Sequence, residues 1–180
     1  MQSNQPSISA TTADWSREKP IPGKYEPSKY LLLAIRRYQR FKIKGALGRL
    51  LSRFVVLQHR FWSAVCGADI PLNVEIGGGL MIPHPNGIVI HPDAEIGPNC
   101  LILQQVTIGT SGKSPGVAMI EGHVDIGAGA KILGPVHIGA HSRIGANAVV
   151  LEDIPPGATA VGIPAKVCSQ KPCTTGREHG

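Results

Sequence analysis

The sequence predicts an all-β solenoid, a parallel β-helix, with a short α-helical segment before it. Aliphatic residues recur at every sixth position from Ile90 to Val150, and ten of the eleven positions in this column are aliphatic. A second column, two residues before the first, is mostly small or β-branched, as at Ala94 and Val106. A repeat at a fixed period is the signature of a stacked architecture.

A period of six suits neither an α-helix nor a strand of alternating residues. It suits short strands joined by corners, where glycine and small residues let the chain turn. Three hexads make one coil, and a single coil cannot bury its own inward face, so coils must stack. An ordinary parallel sheet would need crossovers of a dozen or more residues between strands, and the hexads leave no room for them.

Composition agrees with a narrow aliphatic core. Of the 180 residues, 42% are hydrophobic and only 4% are aromatic, so isoleucine and valine must fill the interior. The length allows one domain with an appendage or tails. No apolar run reaches the length of a membrane span and no leader opens the chain, so we expect a cytoplasmic protein.

The cysteines predict neither a zinc site nor a disulfide framework, because they form no short-spaced paired motif. Cys100 falls in the small inward column, which predicts a packing role. Cys168 and Cys173 lie in a polar stretch and could pair.

We expect four parts along the chain: a disordered tail over 1–27, a basic helical segment over 28–67, the β-helix over 68–167 and a flexible tail over 168–180. The first tail is rich in Ser, Thr, Gln and Pro and lacks periodic apolar residues. In the helical segment, Ser28 is a candidate N-cap. The second helix carries one broad apolar face, formed by Leu47, Leu50, Leu51, Phe54, Phe61 and Val65.

The net charge of +6 is concentrated in the helical segment, since residues 27–68 hold nine Lys or Arg and no Asp or Glu. One interpretation is docking to an anionic membrane surface or an acidic partner. We favour a solvated cationic face above an apolar stripe that packs on the end of the solenoid, where the helices cover unpaired strand edges. No nucleic-acid-binding motif accompanies the charge.

The hexad rule breaks at two places. Around 83–87 (Pro-His-Pro-Asn-Gly) the register slips by two residues. Over 109–119 the aliphatic column is interrupted at Ser114 and resumes in register at Ile120. This interruption predicts a loop that projects from one corner of the coil. A break in an otherwise regular pattern is where a functional or strained site is expected.

His84 is the candidate general base, because it alone of the seven histidines lies in a register break, between two prolines that stiffen the backbone. A neutral imidazole can take a proton near neutral pH. A carboxylate on its far ring nitrogen would fix the tautomer and stabilise the imidazolium.

The hexads, with Ile-Gly at six places between Ala68 and about Lys166, resemble those of the hexapeptide-repeat acyltransferases. The stretches Ala-Asp-Ile-Pro, Pro-His-Pro-Asn-Gly-Ile-Val-Ile and Leu-Gln-Gln-Val-Thr-Ile-Gly are similar to those of serine O-acetyltransferases and their short relatives in polysaccharide gene sets. The resemblance implies a left-handed parallel β-helix, a homotrimer with sites between subunits, and acetyl-CoA as cosubstrate without a metal.

The same resemblance implies His84 as the catalytic base and Asp69 as the residue that orients it. Fifteen residues separate the two, close to one coil of three hexads. It also implies that acetyl-CoA contacts Gly109, Ala128 and Ala146, with its phosphates near Lys166. Corner geometry explains the glycine and the alanines equally well, and Lys166 could be a solvated charge.

Two departures leave the acceptor open. The acidic residue that the family carries before the catalytic histidine is Pro83 here, and the family's Arg-His pair corresponds to Gly116 and Val117. The most favoured acceptor is serine, as in cysteine biosynthesis, and the alternative is a sugar or exopolysaccharide precursor. A non-catalytic β-helix scaffold is a third hypothesis, against which stands the pair of Asp69 and His84 without the histidine cluster that zinc requires.

Overall fold

A computed structural model describes residues 8–42, 45–112 and 115–170. Ser114, Cys173 and the chain beyond residue 170 lie outside the described residues. The pairing of Cys168 with Cys173 therefore stays a prediction. The flexible tail predicted over 168–180 is wrong for residues 168–170, which end an antiparallel strand, and it stays a prediction beyond residue 170.

Within the described residues, three helical segments and thirteen short strands follow one another. The helical segments are a 3₁₀ helix (Trp15–Glu18), α1 (Pro27–Lys42) and α2 (Gly45–Cys66). The strands are β1 (Glu75–Ile76), β2 (Val89–Ile90), β3 (Glu95–Ile96), β4 (Leu101–Ile102), β5 (Thr107–Gly109), β6 (Met119–Ile120), β7 (Asp125–Ile126), β8 (Lys131–Leu133), β9 (His137–Ile138), β10 (Arg143–Ile144), β11 (Val149–Val150), β12 (Ala158–Val161) and β13 (Lys166–Gln170).

The strands form three sheets, which we call sheet A (β2, β5, β8, β11), sheet B (β1, β3, β6, β9) and sheet C (β4, β7, β10, β12, β13). From β2 to β11 successive strands enter sheets A, B and C in strict rotation, and the neighbours within each sheet are parallel. Only β13 returns antiparallel, against β12. The chain therefore winds as a three-sided coil of parallel strands, as the hexad period predicts.

Both inward columns are buried, which confirms the predicted core. Ile102, Ile108 and Ile132 have no exposed side-chain surface, and the second column packs between them at Val106 and Ala130. Burial of one such aliphatic side chain contributes about 1.5–3 kcal/mol. Residues at the outward positions of each strand are exposed or half-buried.

Coil length confirms both predicted breaks in register. The regular coil has eighteen residues, as between the paired Lys131 and Val149. Glu75 pairs with Glu95, twenty residues on, so this coil holds two extra residues, which lie in the segment 83–87. Thr107 pairs with Lys131, twenty-four residues on, and the six extra residues lie in the loop between β5 and β6.

The prediction of disorder over 1–27 is wrong for residues 8–27, which fold against the coil. The Asn99 amide donates to the carbonyls of Ser9 and Thr12, each at 2.7 Å, and its oxygen accepts from the Asp14 N–H at 2.8 Å. These contacts join side chain to backbone and need no apolar periodicity. Composition alone therefore did not predict them.

A buried ion pair fastens this segment and α1 to the first coil. The Glu18 carboxylate, 8% exposed, accepts from Arg36 at 2.8 Å and from the Gly79 and Leu80 N–H groups at 2.8 and 3.1 Å. Arg36 also donates to the carbonyls of Ile76 and Gly77. The Trp15 ring lies 5.2 Å from the guanidinium. Backbone groups at the end of the coil thereby gain partners.

Both predicted helices are present, but the expected packing of α2 is wrong. Phe54, Phe61 and Val65 were expected to pack on the end of the solenoid, and all three are exposed. The apolar residues of α1, including Leu31 and Ile35, cover that end instead. The buried side of α2 carries Val55, Trp62 and Cys66.

Helix α2 packs on α1 through a stacked pair of rings, Tyr30 and Trp62, whose centroids lie 4.9 Å apart. In the part of the chain that the structure describes, no helix is both long enough and apolar enough to span a bilayer.

Ser142 is expected to lower the stability of the fold, because its Oγ is buried and has no hydrogen-bond partner among the described residues. Ser142→Ala should raise the free energy of unfolding by about 1 kcal/mol, since an unpaired buried hydroxyl is removed. Ala148 occupies the same column and is fully buried, so Ala148→Ser is the matched control and should destabilise by about 1–3 kcal/mol. Urea unfolding measures both, and a destabilised Ser142→Ala variant would contradict the assignment.

Arg36→Met should detach the N-terminal segment, because it leaves the Glu18 carboxylate buried without its cation, at a cost of about 3 kcal/mol or more. The expected result is at least a tenfold faster tryptic cleavage after Arg17 and Lys24. Arg40→Met, an exposed position on the same helix, is the matched control and should leave the rate unchanged. Equal cleavage rates in the two variants would show that the ion pair does not hold the segment.

Candidate active site

The segment 83–87 connects sheet C to sheet A and carries His84 at an exposed position. The Gly87 N–H donates to the Gly67 carbonyl at 2.7 Å, and the Ile88 N–H donates to Pro85 at 3.2 Å. Gly87 has φ +70°, a left-handed conformation that favours glycine. These bonds fix the extra two residues as a defined turn that presents His84.

Asp69 lies one coil before this turn, in the backbone ladder below it. Its N–H donates to the Ile88 carbonyl at 2.8 Å, and its own carbonyl accepts from the Ile90 N–H at 2.9 Å. Residues 67–69 therefore lie beneath residues 87–90, so Asp69 and His84 belong to the same corner of the coil.

The predicted contact between the two side chains is not formed in the structure. Both residues are described and exposed, and neither a hydrogen bond nor an ion pair joins the Asp69 carboxylate to the His84 imidazole. Catalytic hydrogen bonds often tighten only when substrate is bound. The orienting role of Asp69 therefore stays a prediction.

The corner that carries His84 continues down the coil as a column of turns. We call it the C–A corner; it comprises residues 83–87, 103–105, 127–129 and 145–147. One backbone hydrogen bond joins each turn to the next, from Gln105 to Asn86, from Gly129 to Gln104 and from Asn147 to Ala128, at 2.8–2.9 Å.

Two of the predicted acetyl-CoA contacts lie in this corner. A strand spacing of about 4.8 Å puts Ala128 about 10 Å and Ala146 about 14 Å along the corner from the His84 turn. Ala128 is half-buried and Ala146 is exposed. Because neither side chain extends beyond Cβ, this strip of the corner is open to an elongated ligand.

Of the other two predicted contacts, Gly109 lies at the far side of sheet A, and Lys166 lies in sheet C, where it pairs with Val161. Gly109 ends β5, and a Cβ added there would meet no atom within 4 Å, so packing does not require a glycine. Lys166 begins β13, and its ammonium lies 3.1 Å from the Glu152 carboxylate. That cation is already paired, although 66% of its side chain is exposed. The structure thus groups Ala128 and Ala146 with the His84 turn and holds Gly109 apart from them. Lys166 lies beyond Ala146 at the end of the same corner, because its partner Val161 lies against Gly145.

Lys131 is a further candidate site residue, which the sequence did not single out. It lies at an outward position of sheet A, where its ammonium donates to the Gln105 carbonyl at 2.7 Å and to the Thr107 hydroxyl at 3.1 Å. Within the described residues it has no carboxylate partner, so its charge faces the C–A corner uncompensated. A lone lysine at an outward hexad position resembles any solvated charge, which is why the sequence did not single it out.

A groove of about 450 Å³ adjoins the His84 turn on the side of sheet C. Pro83 and Pro85, which flank His84, line one wall. Arg17, Tyr25 and Lys29 from the N-terminal segment and α1 line the other. A larger groove of about 560 Å³ lies over sheet B between Gln39 and Met119, away from His84. The smaller groove is thus the one that adjoins the turn carrying His84.

Cys100 is unsuited to nucleophilic chemistry. It is fully buried, and burial raises the pKa of its thiol to about 11, so the thiolate is scarce at neutral pH. The raised pKa agrees with the packing role predicted from its column.

A pair of histidines lies at the corner between sheets B and C. The Nδ1 atoms of His123 and His141 are 2.7 Å apart, and burial, assisted by His141, lowers the pKa of His123. No group of three potential metal ligands is present among the described residues.

The known proteins that this chain resembles are hexapeptide-repeat transferases and serine acetyltransferases. A family profile described as "Bacterial transferase hexapeptide (six repeats)" matches residues 118–152. The serine acetyltransferase of Escherichia coli (strain K12) is 44% identical over 117 residues, which is 62% of this chain and 43% of that protein. The serine acetyltransferase of Synechococcus elongatus is 45% identical over 103 residues, covering 56% of this chain and 42% of that protein.

Solved structures give the same result. Serine acetyltransferase from Neisseria gonorrhoeae has a TM-score of 0.68 and 38% identity, covering 81% of this chain and 56% of that one. The Brucella abortus enzyme in complex with coenzyme A has a TM-score of 0.70 and 33% identity, covering 83% and 59%. Soybean serine acetyltransferase complexed with serine has a TM-score of 0.66 and 35% identity, covering 78% and 57%.

This chain spans less than half the length of those curated relatives and somewhat more than half the length of the solved structures. The comparisons confirm the predicted resemblance to hexapeptide-repeat acyltransferases. Within that class the chain is most similar to serine O-acetyltransferases.

Proposed function

We propose that this protein is an acetyl-CoA-dependent O-acetyltransferase, folded as a left-handed parallel β-helix and assembled in the cytoplasm as a homotrimer with sites between subunits. The observation that carries the proposal is the two-residue register break, which brings Asp69 and His84 to one corner. The coenzyme A complex of a similar structure supports the donor. The names of the relatives support the reaction.

In the proposed reaction the His84 imidazole takes the proton of the acceptor hydroxyl as the oxygen attacks the thioester carbonyl. The carbon–sulfur bond then breaks, and the coenzyme A thiolate takes the proton back from the imidazolium. Asp69 would accept from the other ring nitrogen, fixing the tautomer and stabilising the imidazolium. Both side chains are exposed. The buried, protonated Cys100 agrees with direct transfer and no acyl-enzyme.

We propose that acetyl-CoA lies along the C–A corner, where Ala128 and Ala146 leave room for its chain. Lys131, uncompensated at the same corner, is available to its polar groups. Lys166 would contact acetyl-CoA at the far end of the corner, where its pairing with Glu152 lowers the charge that it can offer to phosphates. Gly109 lies across sheet A from the corner.

Serine is the proposed acceptor, because the similar proteins are serine acetyltransferases and one structure among them holds serine. A sugar or exopolysaccharide precursor is the second candidate. It is favoured by the absence of a cationic side chain at Gly116 and Val117, since a carboxylate substrate is best held by arginine. A non-catalytic scaffold is the third hypothesis.

His84→Ala should lower kcat by at least about 100-fold, the usual contribution of a general base. Asp69→Asn should also lower kcat, with little change in the KM for acetyl-CoA, because it disturbs only the orientation of the imidazole. The measurement is release of free coenzyme A thiol from acetyl-CoA, with L-serine on one side and a panel of sugars on the other.

The matched control is His137→Ala, an exposed histidine on sheet B that pairs with Glu121, which should keep its rate within about twofold. Turnover on serine would support the first acceptor, and turnover on a sugar alone would support the second. A His84→Ala variant with near-wild-type activity on every acceptor that works would sink the proposed mechanism. No turnover and no acetyl-CoA binding would favour the scaffold.

A further inference from the structure

Helix α2 carries an exposed apolar surface that nothing in the proposed acetyltransferase requires. We call it the apolar stripe; its members are Leu51, Phe54, Leu57, Phe61 and Val65. The spacings of three and four residues put them on one face of the helix, over about 21 Å of its length. Phe54 is 73% exposed, Leu57 63% and Phe61 59%, values unusual for side chains of this size.

Arginines border the stripe on both edges. Arg53 and Arg60 are exposed and, at helical spacing, lie on the edge next to Leu57. On the opposite edge Arg37 of α1 donates to the Gln58 side chain at 3.3 Å. Among the described residues, none of these three arginines has a carboxylate partner. The surface therefore combines a narrow apolar ridge with uncompensated positive charge on either side.

We propose that the apolar stripe binds the surface of an anionic lipid bilayer, with α2 lying in the plane of the interface. Phenylalanine and leucine side chains can insert at the boundary between headgroups and acyl chains. Arginines at the edges can then reach the phosphates, since their long side chains keep the guanidinium in the polar layer. The segment 27–68 has nine basic residues and no acidic one, so no repulsion from an anionic surface opposes the contact.

Other occupants fit this surface less well. In a pairing of two α2 helices the arginine edges of both copies would meet, which is unfavourable. One helical stripe also offers only a few hundred Å², whereas a stable pair buries about 800 Å² on each partner. The segments 1–7 and 171–180 contain Met1 as their only large apolar residue, so they cannot cover the stripe.

Vesicle flotation of the full chain tests the proposal. We expect binding to vesicles of phosphatidylcholine with phosphatidylglycerol and little binding to phosphatidylcholine alone. Binding should weaken at about 1 M salt, where the Debye length falls to about 3 Å. Phe54→Ala with Phe61→Ala should lower the partition coefficient at least tenfold, because two large side chains no longer insert. Arg53→Gln with Arg60→Gln should have an effect of at least similar size.

The matched control is Val161→Ala with Ile163→Ala, which removes exposed apolar side chains from the other end of the coil and should bind vesicles like wild type. Absence of binding to phosphatidylglycerol vesicles would overturn the proposal. So would binding that does not depend on the anionic lipid or that survives the double phenylalanine change. Sedimentation of the same variants separates a further outcome: if they lose self-association and wild type ignores lipid, the stripe is an interface between copies of the chain.

Discussion

Burial of the two inward columns is the constraint on which the rest of the structure depends. No single coil can enclose its own aliphatic side chains, so Ile102, Ile126 and Ile144 must be covered by coils above and below. The same requirement leaves two open ends. At one end α1 lays Leu31 and Ile35 over the first coil, and the Glu18–Arg36 pair fastens it there. At the other end β13 folds back antiparallel on β12.

The regular coil has eighteen residues, and extra residues can be inserted only at its corners. Each inserted residue must leave the columns in register, because a slip of one position would turn the aliphatic side chains outward. The coil accepts two insertions, and both lie between strands: two residues beside His84 and six residues after Gly109. The first of these presents the imidazole. The C–A corner below it passes through residues 103–105 and becomes narrow at the small residues of 127–129 and at Gly145 and Ala146. Rigid coils thus hold a chemically distinct turn in place.

The coil and its breaks could be predicted from the sequence because burial leaves a periodic trace in the chain. His84 was identified for the same reason, as the histidine in the irregular turn. Segments held by polar contacts leave no periodic pattern in the sequence. The folded structure of residues 8–27 around Asn99 was therefore not predicted. The orientation of α2 was missed because either of two apolar faces could have been buried, and packing chose the one with Val55 and Trp62. Lys131 can be recognised only in the folded structure, where its ammonium lies against the Gln105 carbonyl in the C–A corner.

The central claim is that the C–A corner beside His84 is where acetyl-CoA binds, and titration calorimetry with acetyl-CoA tests it most directly. Ala146 is exposed, so an indole in its place is compatible with the fold and would block the corner. We predict that Ala146→Trp weakens binding at least tenfold, while Met119→Trp, at an exposed position on sheet B, binds like wild type. Unchanged affinity in Ala146→Trp, or no binding by the wild-type protein, would contradict it.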